Sequence, residues 1–198
     1  MRYSVIAIER EYASGGREIG EKLAKRLGLP CHGQDILEKA AVKTGLPLDE
    51  LNELEESITG SLLYSLSIFA DMTSGRGMDL TRAQKLALAE SDIIRDLSLK
   101  PCIIIGRGAA GLLKDKDNIL KVFVHAGFDV RVKRAVEIYG IDPKQADSVL
   151  RRYDKRRITY FKAATNVEWR DADIYHMLLN SGKLGIDPAV DILHAAVK

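Results

Sequence analysis

Short apolar runs alternate with stretches of helical periodicity along this chain. The apolar runs are rich in β-branched and aromatic residues and cover residues 3–8, 102–105, 120–124 and 174–179, with a weaker run at 29–32. Such runs predict strands that are buried on both faces of a sheet. After the first run, Ile19, Leu23 and Leu27 fall on one face of a helix. This alternation of strand and helix predicts a parallel α/β sheet.

Local signals mark the starts of two helices and one long insertion. Asp142-Pro143 and Asp187-Pro188 each predict a capping carboxylate before a proline at the first helical position. Residues 48–99 contain no convincing strand, and the sequence TSGRG at 73–77 interrupts them. We therefore predict a helical insertion with a mobile elbow. The chain contains no internal repeat, low-complexity tract or linker, which favours a single domain over residues 1–198.

Composition and charge narrow the possible classes of protein. With 198 residues, of which 46% are apolar and 29% charged, the chain is typical of a globular protein with a sizeable core. Its 30 basic and 28 acidic residues leave a net charge of +2, which is too small to indicate a nucleic-acid or membrane partner. The longest apolar stretch, LLYSLSIFA, is too short and too rich in serine to span a bilayer. Any anion site must therefore come from local clusters of charge.

The two cysteines favour a reducing compartment. Cys102 lies in a predicted buried strand, and Cys31 is the only other cysteine in the sequence, which argues against a structural disulfide. No short pattern of Cys and His predicts a zinc site. The apolar run near the N-terminus is too short for a signal peptide. We therefore expect a cytoplasmic protein.

The sequence YASGGREIG joins the first predicted strand to the first predicted helix. Its glycines allow the backbone to approach a ligand closely, and the start of the helix directs unsatisfied N–H groups at that ligand. Ser14, Gly15 and Gly16 therefore predict an anion site, most naturally for phosphate. The alternative is that Ser14 caps the helix and the glycines only form a tight turn.

This loop departs from a Walker A motif at the positions that normally carry a lysine and a hydroxyl. Arg17 and Glu18 stand there. Arg17 can serve as the phosphate cation, because a guanidinium bonds phosphate oxygens in bidentate fashion. Glu18 cannot supply the hydroxyl that normally binds magnesium, although a carboxylate can coordinate Mg²⁺ itself. The alternative is that Glu18 and Glu21 only compensate the helix dipole.

A second arginine follows a predicted strand in mid-chain. Arg107 stands between Gly106 and Gly108 directly after the apolar run that ends at residue 105. Open α/β sheets bind their ligands at this edge, beyond the carboxyl ends of the strands. Arg107 is therefore a candidate ligand-binding residue. A surface ion pair is the alternative.

The densest positive charge lies in RRYDKRR at residues 151–157. On a helix, Asp154 and Arg157 share one side, with Arg151 one turn before and Tyr160 one turn after. This stripe could close over phosphates. A solvated helix face and a contact with nucleic acid are the alternatives. The nearly balanced net charge and the lack of a recognised binding motif argue against nucleic acid.

Taken together, these residues resemble the cytidylate kinase-like family, a branch of the P-loop nucleoside monophosphate kinases. The segments that carry the resemblance are REYASGGREIGEKLAKRLG at 10–28, CHGQDILEKAA at 31–41, IIIGRG at 103–108 and RRYDKRRITYFK at 151–162. The resemblance implies a three-layer P-loop kinase-like fold with a parallel five-stranded sheet. It also implies a helical monophosphate-binding insertion at about 46–100 and an arginine-rich lid at about 143–170.

The resemblance also implies roles for individual residues. The ATP phosphates would be bound by Ser14, Gly15, Gly16, Arg17 and Glu18. The catalytic residues would be Arg17, Arg151, Asp154 and Arg157. The acceptor would be bound by Asp35, Arg76 and Arg107.

The function implied by this family is ATP-dependent phosphoryl transfer to a small phosphate acceptor, with a nucleoside monophosphate such as CMP or dCMP as the first candidate. Such transfer relies on alignment and on positive charge around the transition state, with Mg²⁺ bridging the donor phosphates. The alternative is a non-catalytic nucleotide-binding or sensing protein that retains the kinase fold, which Glu18 motivates. We expect small-molecule nucleotides as partners, without nucleic acid or membrane, and leave the oligomeric state open.

Overall fold

The five apolar runs form one parallel sheet in the computed structural model, which describes residues 2–47 and 82–198. The strands are β1 (Val5–Arg10), β2 (Cys31–His32), β3 (Cys102–Ile105), β4 (Ile119–His125) and β5 (Met177–Asn180). Their order across the sheet is β2-β3-β1-β4-β5, and each neighbouring pair is parallel. The predicted parallel five-stranded sheet is thus confirmed.

Helices cover both faces of this sheet. They are α1 (Gly16–Leu27), α2 (Gln34–Thr44), α3 (Arg82–Leu97), α4 (Ala109–Leu112), α5 (Phe128–Glu137), α6 (Pro143–Thr165), α7 (Ser181–Leu184) and α8 (Ile186–Ala196). Because side chains alternate along a strand, Ile6 and Ile8 pack with α1 and α8. Val5 and Ala7 pack on the opposite face with α3, α4 and α6. The result is the predicted three-layer arrangement.

Strand β1 extends two residues further toward its carboxyl end than the apolar pattern predicts. The pattern ends at Ile8, but Glu9 and Arg10 continue the strand and lie opposite Phe123 and Val124 of β4. Main-chain pairing does not require an apolar side chain, so a hydrophobicity pattern misses charged residues at the end of a strand. This extension brings Glu9 and Arg10 to the edge of the sheet where the loops begin.

One of the two predicted helix caps is confirmed and the other is wrong. The Asp142 carboxylate accepts a hydrogen bond from the Lys144 N–H and caps α6. Helix α8 instead begins at Ile186, so Asp187 lies inside its first turn. There its carboxylate pairs with Lys22 Nζ at 2.8 Å, which ties α8 to α1.

The predicted insertion and lid are described only in part. Helix α3 makes up most of the described portion of the predicted insertion at 46–100, while the elbow at 73–77 and Arg76 lie outside the described residues. Most of the predicted lid at 143–170 is the uninterrupted helix α6, whose side chains Ala146, Leu150 and Phe161 are buried. A lid movement stays a prediction. In the part of the chain that the structure describes, no helix combines the length and the apolar character needed to cross a membrane.

Candidate functional site at the carboxyl edge of the sheet

A loop with unpaired amide groups links β1 to α1. Ala13 and Gly15 have positive φ angles of 57° and 79°, which turn the backbone sharply before the helix. The N–H groups of Ala13 and of residues 15–17 have no hydrogen-bond acceptor within residues 2–47 and 82–198. Unpaired N–H groups at the start of a helix attract an anion. We call residues 11–17 the glycine loop.

Side chains from distant parts of the chain donate hydrogen bonds to a carbonyl group of this loop and to the carbonyl group of the last residue of β1. Arg157 Nη1 donates to the carbonyl of Arg10 at 2.9 Å. Ser181 Oγ donates to the carbonyl of Ser14 at 2.5 Å. These hydrogen bonds fix the orientation of the two carbonyl groups, so that neither accepts a hydrogen bond from the N–H groups of the loop. The loop is therefore held in a conformation that leaves its donors available.

A buried ion network holds the start of the glycine loop. Asp154 on α6 accepts the Tyr12 N–H at 2.8 Å, and its other carboxylate oxygen accepts from Arg131 Nη1 at 2.6 Å. Arg131 also donates to the Tyr12 carbonyl at 3.2 Å, and its Nε lies 3.3 Å from a carboxylate oxygen of Glu11. The three charged side chains are all buried. We call Glu11, Arg131 and Asp154 the loop clamp.

The position of Asp154 favours a positioning role over the predicted contact with phosphates. Both of its carboxylate oxygens are occupied within the loop clamp. Arg151, also predicted as catalytic, lies on the exposed side of α6, where its Nε is 3.2 Å from a carboxylate oxygen of Asp147. Arg157 faces the other way and donates to the backbone at the end of β1. Of the two arginines, the structure thus brings Arg157 to the loop.

Three arginines meet beside the glycine loop, and we call Arg10, Arg107 and Arg157 the arginine cluster. Burial, followed by the neighbouring charge of Arg157, lowers the pKa of Arg10 to about 9. Burial also lowers the pKa of Arg107 and that of Arg157. A pKa that falls in this way means that the surroundings do not fully stabilise the positive charge. A bound anion would stabilise these three buried guanidinium groups.

An unusual turn after β3 positions Arg107. Gly106, Arg107 and Gly108 all have positive φ angles, of 70°, 59° and 70°. A left-handed conformation is uncommon for arginine, and such residues often occur at functional sites. The turn places Arg107 Nη1 at 3.0 Å from a carboxylate oxygen of Glu90 on α3. Because Glu90 is fully buried, this is not the surface ion pair that the sequence left open.

Glu90 is a buried acid shared by two partners. Its second carboxylate oxygen accepts a hydrogen bond from the Tyr160 hydroxyl at 2.6 Å. Burial raises the pKa of Glu90 to about 7, and the hydrogen bond from Tyr160 acts in the opposite direction. The carboxyl group therefore changes charge near neutral pH, next to one member of the arginine cluster.

This raised pKa predicts a pH-dependent stability. Between pH 4.5 and about 7, the folded protein holds a proton on Glu90 that the unfolded chain has released. The free energy of unfolding should therefore fall as the pH rises through this window, and Glu90→Gln should flatten the slope by up to about 1.4 kcal/mol per pH unit. Urea unfolding at several pH values measures it. Tyr160→Phe should extend the window upward, and equal slopes in the parent and Glu90→Gln would contradict the assignment.

Arg17 and Asp35 are engaged in local pairs. Arg17 Nε lies 2.7 Å from Glu21, and the Arg17 side chain is 70% exposed. Burial would raise the pKa of Asp35, but hydrogen bonds from Lys39, the Gly33 N–H and His32 lower it to about 2. The positive charge of Arg17 nevertheless contributes to lowering the pKa of Arg10.

The residues around Glu18 do not fit a directly bound Mg²⁺. One carboxylate oxygen of Glu18 lies 3.0 Å from Arg134 Nη2, and the other lies 3.3 Å from Lys22 Nζ. A divalent cation at this carboxylate would therefore lie beside two positive groups. Within residues 2–47 and 82–198, no cluster of three His, Cys, Asp or Glu side chains could hold a metal ion. Glu18 is therefore not assigned as a ligand of Mg²⁺.

Sequence reasoning missed several residues of this site, notably Arg10, Glu90 and Arg131. Arg10 had a usable signal, because like Arg107 it comes shortly after an apolar run in the sequence. Glu90 and Arg131 had none, since each occurs in an ordinary amphipathic helix. Their importance follows from burial and from partners that are distant in sequence.

Comparison with known proteins assigns the family. Residues 5–183 match the model of the cytidylate kinase-like family. The chain belongs to the cytidylate kinase-like family. Among its relatives, the cytidylate kinase of Methanopyrus kandleri is 26% identical over 151 residues, which cover 68% of this chain and 78% of that protein. The cytidylate kinase of Thermococcus sibiricus is 27% identical over 143 residues, which cover 68% and 73%.

Solved structures support the fold of this cytidylate kinase-like protein. An uncharacterised protein from Eubacterium ventriosum matches with a TM-score of 0.72 at 23% identity, covering 98% of this chain and 97% of that chain. The shikimate kinase of Acinetobacter baumannii, in complex with shikimate, matches with a TM-score of 0.52 at 14% identity, covering 98% and 93%. At these identities the likeness shows a P-loop kinase fold. Family and fold together support a role as a nucleotide kinase.

Proposed function

We propose that this protein transfers a phosphoryl group from ATP to a nucleoside monophosphate, with CMP or dCMP as the first candidates. The observation that carries the proposal is the glycine loop, whose unpaired N–H groups lie beside the arginine cluster. Amide donors and guanidinium groups together are suited to a polyphosphate. Family membership and the cytidylate kinase relatives support the choice of nucleotide.

The chain's own residues would contribute alignment and positive charge. The N–H groups of Ala13 and of residues 15–17 would hold the donor phosphates, with Arg17 at the exposed rim of the loop. Arg157 would stabilise the charge that spreads over the transferred group, because it already lies at the end of β1. When bound with ATP, Mg²⁺ would neutralise and bridge the donor phosphates. The loop clamp would keep the loop in register without touching the substrate.

The acceptor would bind on the β3 side of the site. Arg107 would contact its phosphate, and Asp35 and Arg76 would contribute further contacts. Asp35 lies at the start of α2, close to the carboxyl end of β2. Exclusion of water from the site would prevent wasteful hydrolysis of ATP. We assign no lid movement to α6 as a whole, because its Leu150 and Phe161 are buried and its Asp154 belongs to the loop clamp.

A substrate panel tests this function. Purified protein with magnesium and ATP should convert a nucleoside monophosphate to the diphosphate, with CMP and dCMP compared against UMP, AMP, GMP and shikimate. Formation of ADP and of the phosphorylated acceptor is measured by chromatography. Transfer to CMP or dCMP at the highest kcat/KM supports the proposal. Folded protein that phosphorylates no acceptor would overturn it.

A second candidate is a nucleotide-binding protein that has kept the fold without catalysis. The contacts of Glu18 with Arg134 and Lys22 favour it, because they occupy the position at which P-loop kinases carry a magnesium-binding hydroxyl. Calorimetry read beside the turnover assay separates the two candidates. Tight ATP binding that is independent of magnesium and without turnover would favour the binding protein, and absence of ATP binding would exclude both.

A further inference from the structure

One cation of the site, Arg10, differs from the other arginines around it. The Arg10 guanidinium makes no hydrogen bond or ion pair with any residue of the described segments 2–47 and 82–198. The arginines around it differ. Arg107 pairs with Glu90, Arg157 donates to a backbone carbonyl, and Arg17 pairs with Glu21.

The path of the Arg10 side chain crosses the edge of the sheet. Its stem packs on Gly16, where an added Cβ would lie 2.5 Å from the Arg10 Cβ. Its guanidinium lies over Gly106, where an added Cβ would overlap Nη1. Arg10 therefore runs from the first residue of α1 to the turn that positions Arg107. Two glycines leave the space that this side chain occupies.

The electrostatic surroundings of Arg10 are mostly positive. Arg157, Arg107 and Arg17 all destabilise its charge, while Glu9 is the acid that stabilises it. Burial raises the pKa of Glu9, and Glu9 Oε1 has no hydrogen-bond partner among the residues that the structure describes. Glu9 is thus itself poorly placed to carry a full negative charge. A partly buried cation among like charges is unfavourable unless an anion binds to it.

We propose that Arg10 binds the phosphate group lying between the glycine loop and Arg107, and that Arg10 is the main side-chain cation for the donor phosphates. This inference rests on the proposed phosphotransferase function and names a residue for it. A guanidinium in this position can bond two phosphate oxygens at once. Arg17 is less suited to this role, because it is largely exposed and engaged by Glu21.

The first test uses Arg10→Gln and Arg10→Lys with sodium tripolyphosphate and ATP as probes. Calorimetry should show affinity for both probes about 10- to 100-fold weaker in Arg10→Gln, because hydrogen bonds to charged groups are lost. Arg10→Lys should keep part of the affinity, since lysine retains the positive charge but lacks the planar guanidinium that bonds two phosphate oxygens. Thermal unfolding of ligand-free Arg10→Gln should occur at the parent temperature or above it, because removal of the cation relieves repulsion.

The direction of the stability change separates a binding role from a structural one. If Arg10 had a structural role, its replacement would lower the unfolding temperature. A destabilised or unfolded Arg10→Gln protein would therefore overturn the inference. Stable Arg10→Gln that binds tripolyphosphate as tightly as the parent would also overturn it. If the parent binds neither probe, the inference and the proposed function both fail. If the parent binds them without turnover and Arg10→Gln does not, the inference stands and the kinase activity fails.

A pair of glycine variants provides a matched control that leaves Arg10 in place. Gly106 and Gly108 share a φ angle of 70°, so alanine would be forced into a left-handed φ at both positions. Only at Gly106 would the new Cβ displace the Arg10 guanidinium, since at Gly108 the nearest atom is Thr165 Cγ2 at 3.4 Å. Gly106→Ala should therefore weaken tripolyphosphate binding more than Gly108→Ala does. Equal affinities in the two variants would overturn the inference.

Discussion

Replacing Asp154 with alanine should lower the free energy of unfolding by about 3–5 kcal/mol, the cost of removing one partner from a buried ion pair. Among the described residues, the change leaves the buried Arg131 with Glu11 as its remaining ion-pair partner, and it removes the acceptor of the Tyr12 N–H. Urea unfolding followed by circular dichroism measures the effect. Asp154→Asn should lose less stability, because the amide oxygen can still accept the hydrogen bond from Tyr12.

Asp147 offers a matched control for this prediction on the same helix. It also pairs with an arginine, Arg151, but the two side chains are 61% and 68% exposed. Asp147→Ala should therefore change the free energy of unfolding by at most about 1 kcal/mol. If the two alanine variants lose the same stability, burial does not set the strength of the loop clamp, and its role in holding the glycine loop is wrong.

Replacing Arg157 with alanine should reduce kcat by about 10²- to 10³-fold if the protein is a kinase, the loss found when one preorganised donor to the transition state is removed. Arg157 already lies at the end of β1, where its Nη1 bonds the Arg10 carbonyl. Arg157→Lys should recover only part of the rate, because lysine keeps the charge without the planar fork. Steady-state kinetics with saturating ATP and the best acceptor of the panel measure both.

The control for Arg157 is a nearby arginine on the exposed side of α6. The Arg152 guanidinium lies over the Tyr153 ring, 5.7 Å from its centroid, and the side chain is exposed. Arg152→Ala should leave kcat within about twofold of the parent, as expected for a surface substitution. Urea unfolding of each variant separates loss of rate from loss of fold. A folded Arg157→Ala protein with the parent's kcat would contradict the proposed role.

The apolar pattern was sufficient to predict the sheet but not the ends of its elements. The run at 102–105 coincides with β3, and all five predicted strands occur. Strand β1 runs on through two charged residues, and α8 starts one residue before its predicted cap. Burial of a whole strand leaves a strong signal in sequence, whereas a strand or helix end depends on one or two main-chain hydrogen bonds.

Parts of the site could be predicted in the same way. A glycine-rich turn between a strand and a helix indicates an anion site by itself, and the N–H groups of Ala13 and of residues 15–17 have no acceptor among the described residues. Arg107 and Arg157 were named from their positions after a strand and on a helix, and both lie in the arginine cluster. The identity of the acceptor and the roles of Asp35 and Arg76 stay predictions.

The sequence by itself determined the parallel sheet, the glycine turn at its edge and the supply of arginines near that edge. Only the tertiary structure decided which charged groups are paired and which are left unpaired. Asp154 and Tyr12 are 142 residues apart and form a hydrogen bond, while Arg10 lies beside three other arginines and has no hydrogen-bond or ion-pair partner for its guanidinium in the part of the chain that the structure describes. The physical reason is that the energy of a charge depends on its burial and on its neighbours in space, and both are set by packing between distant segments.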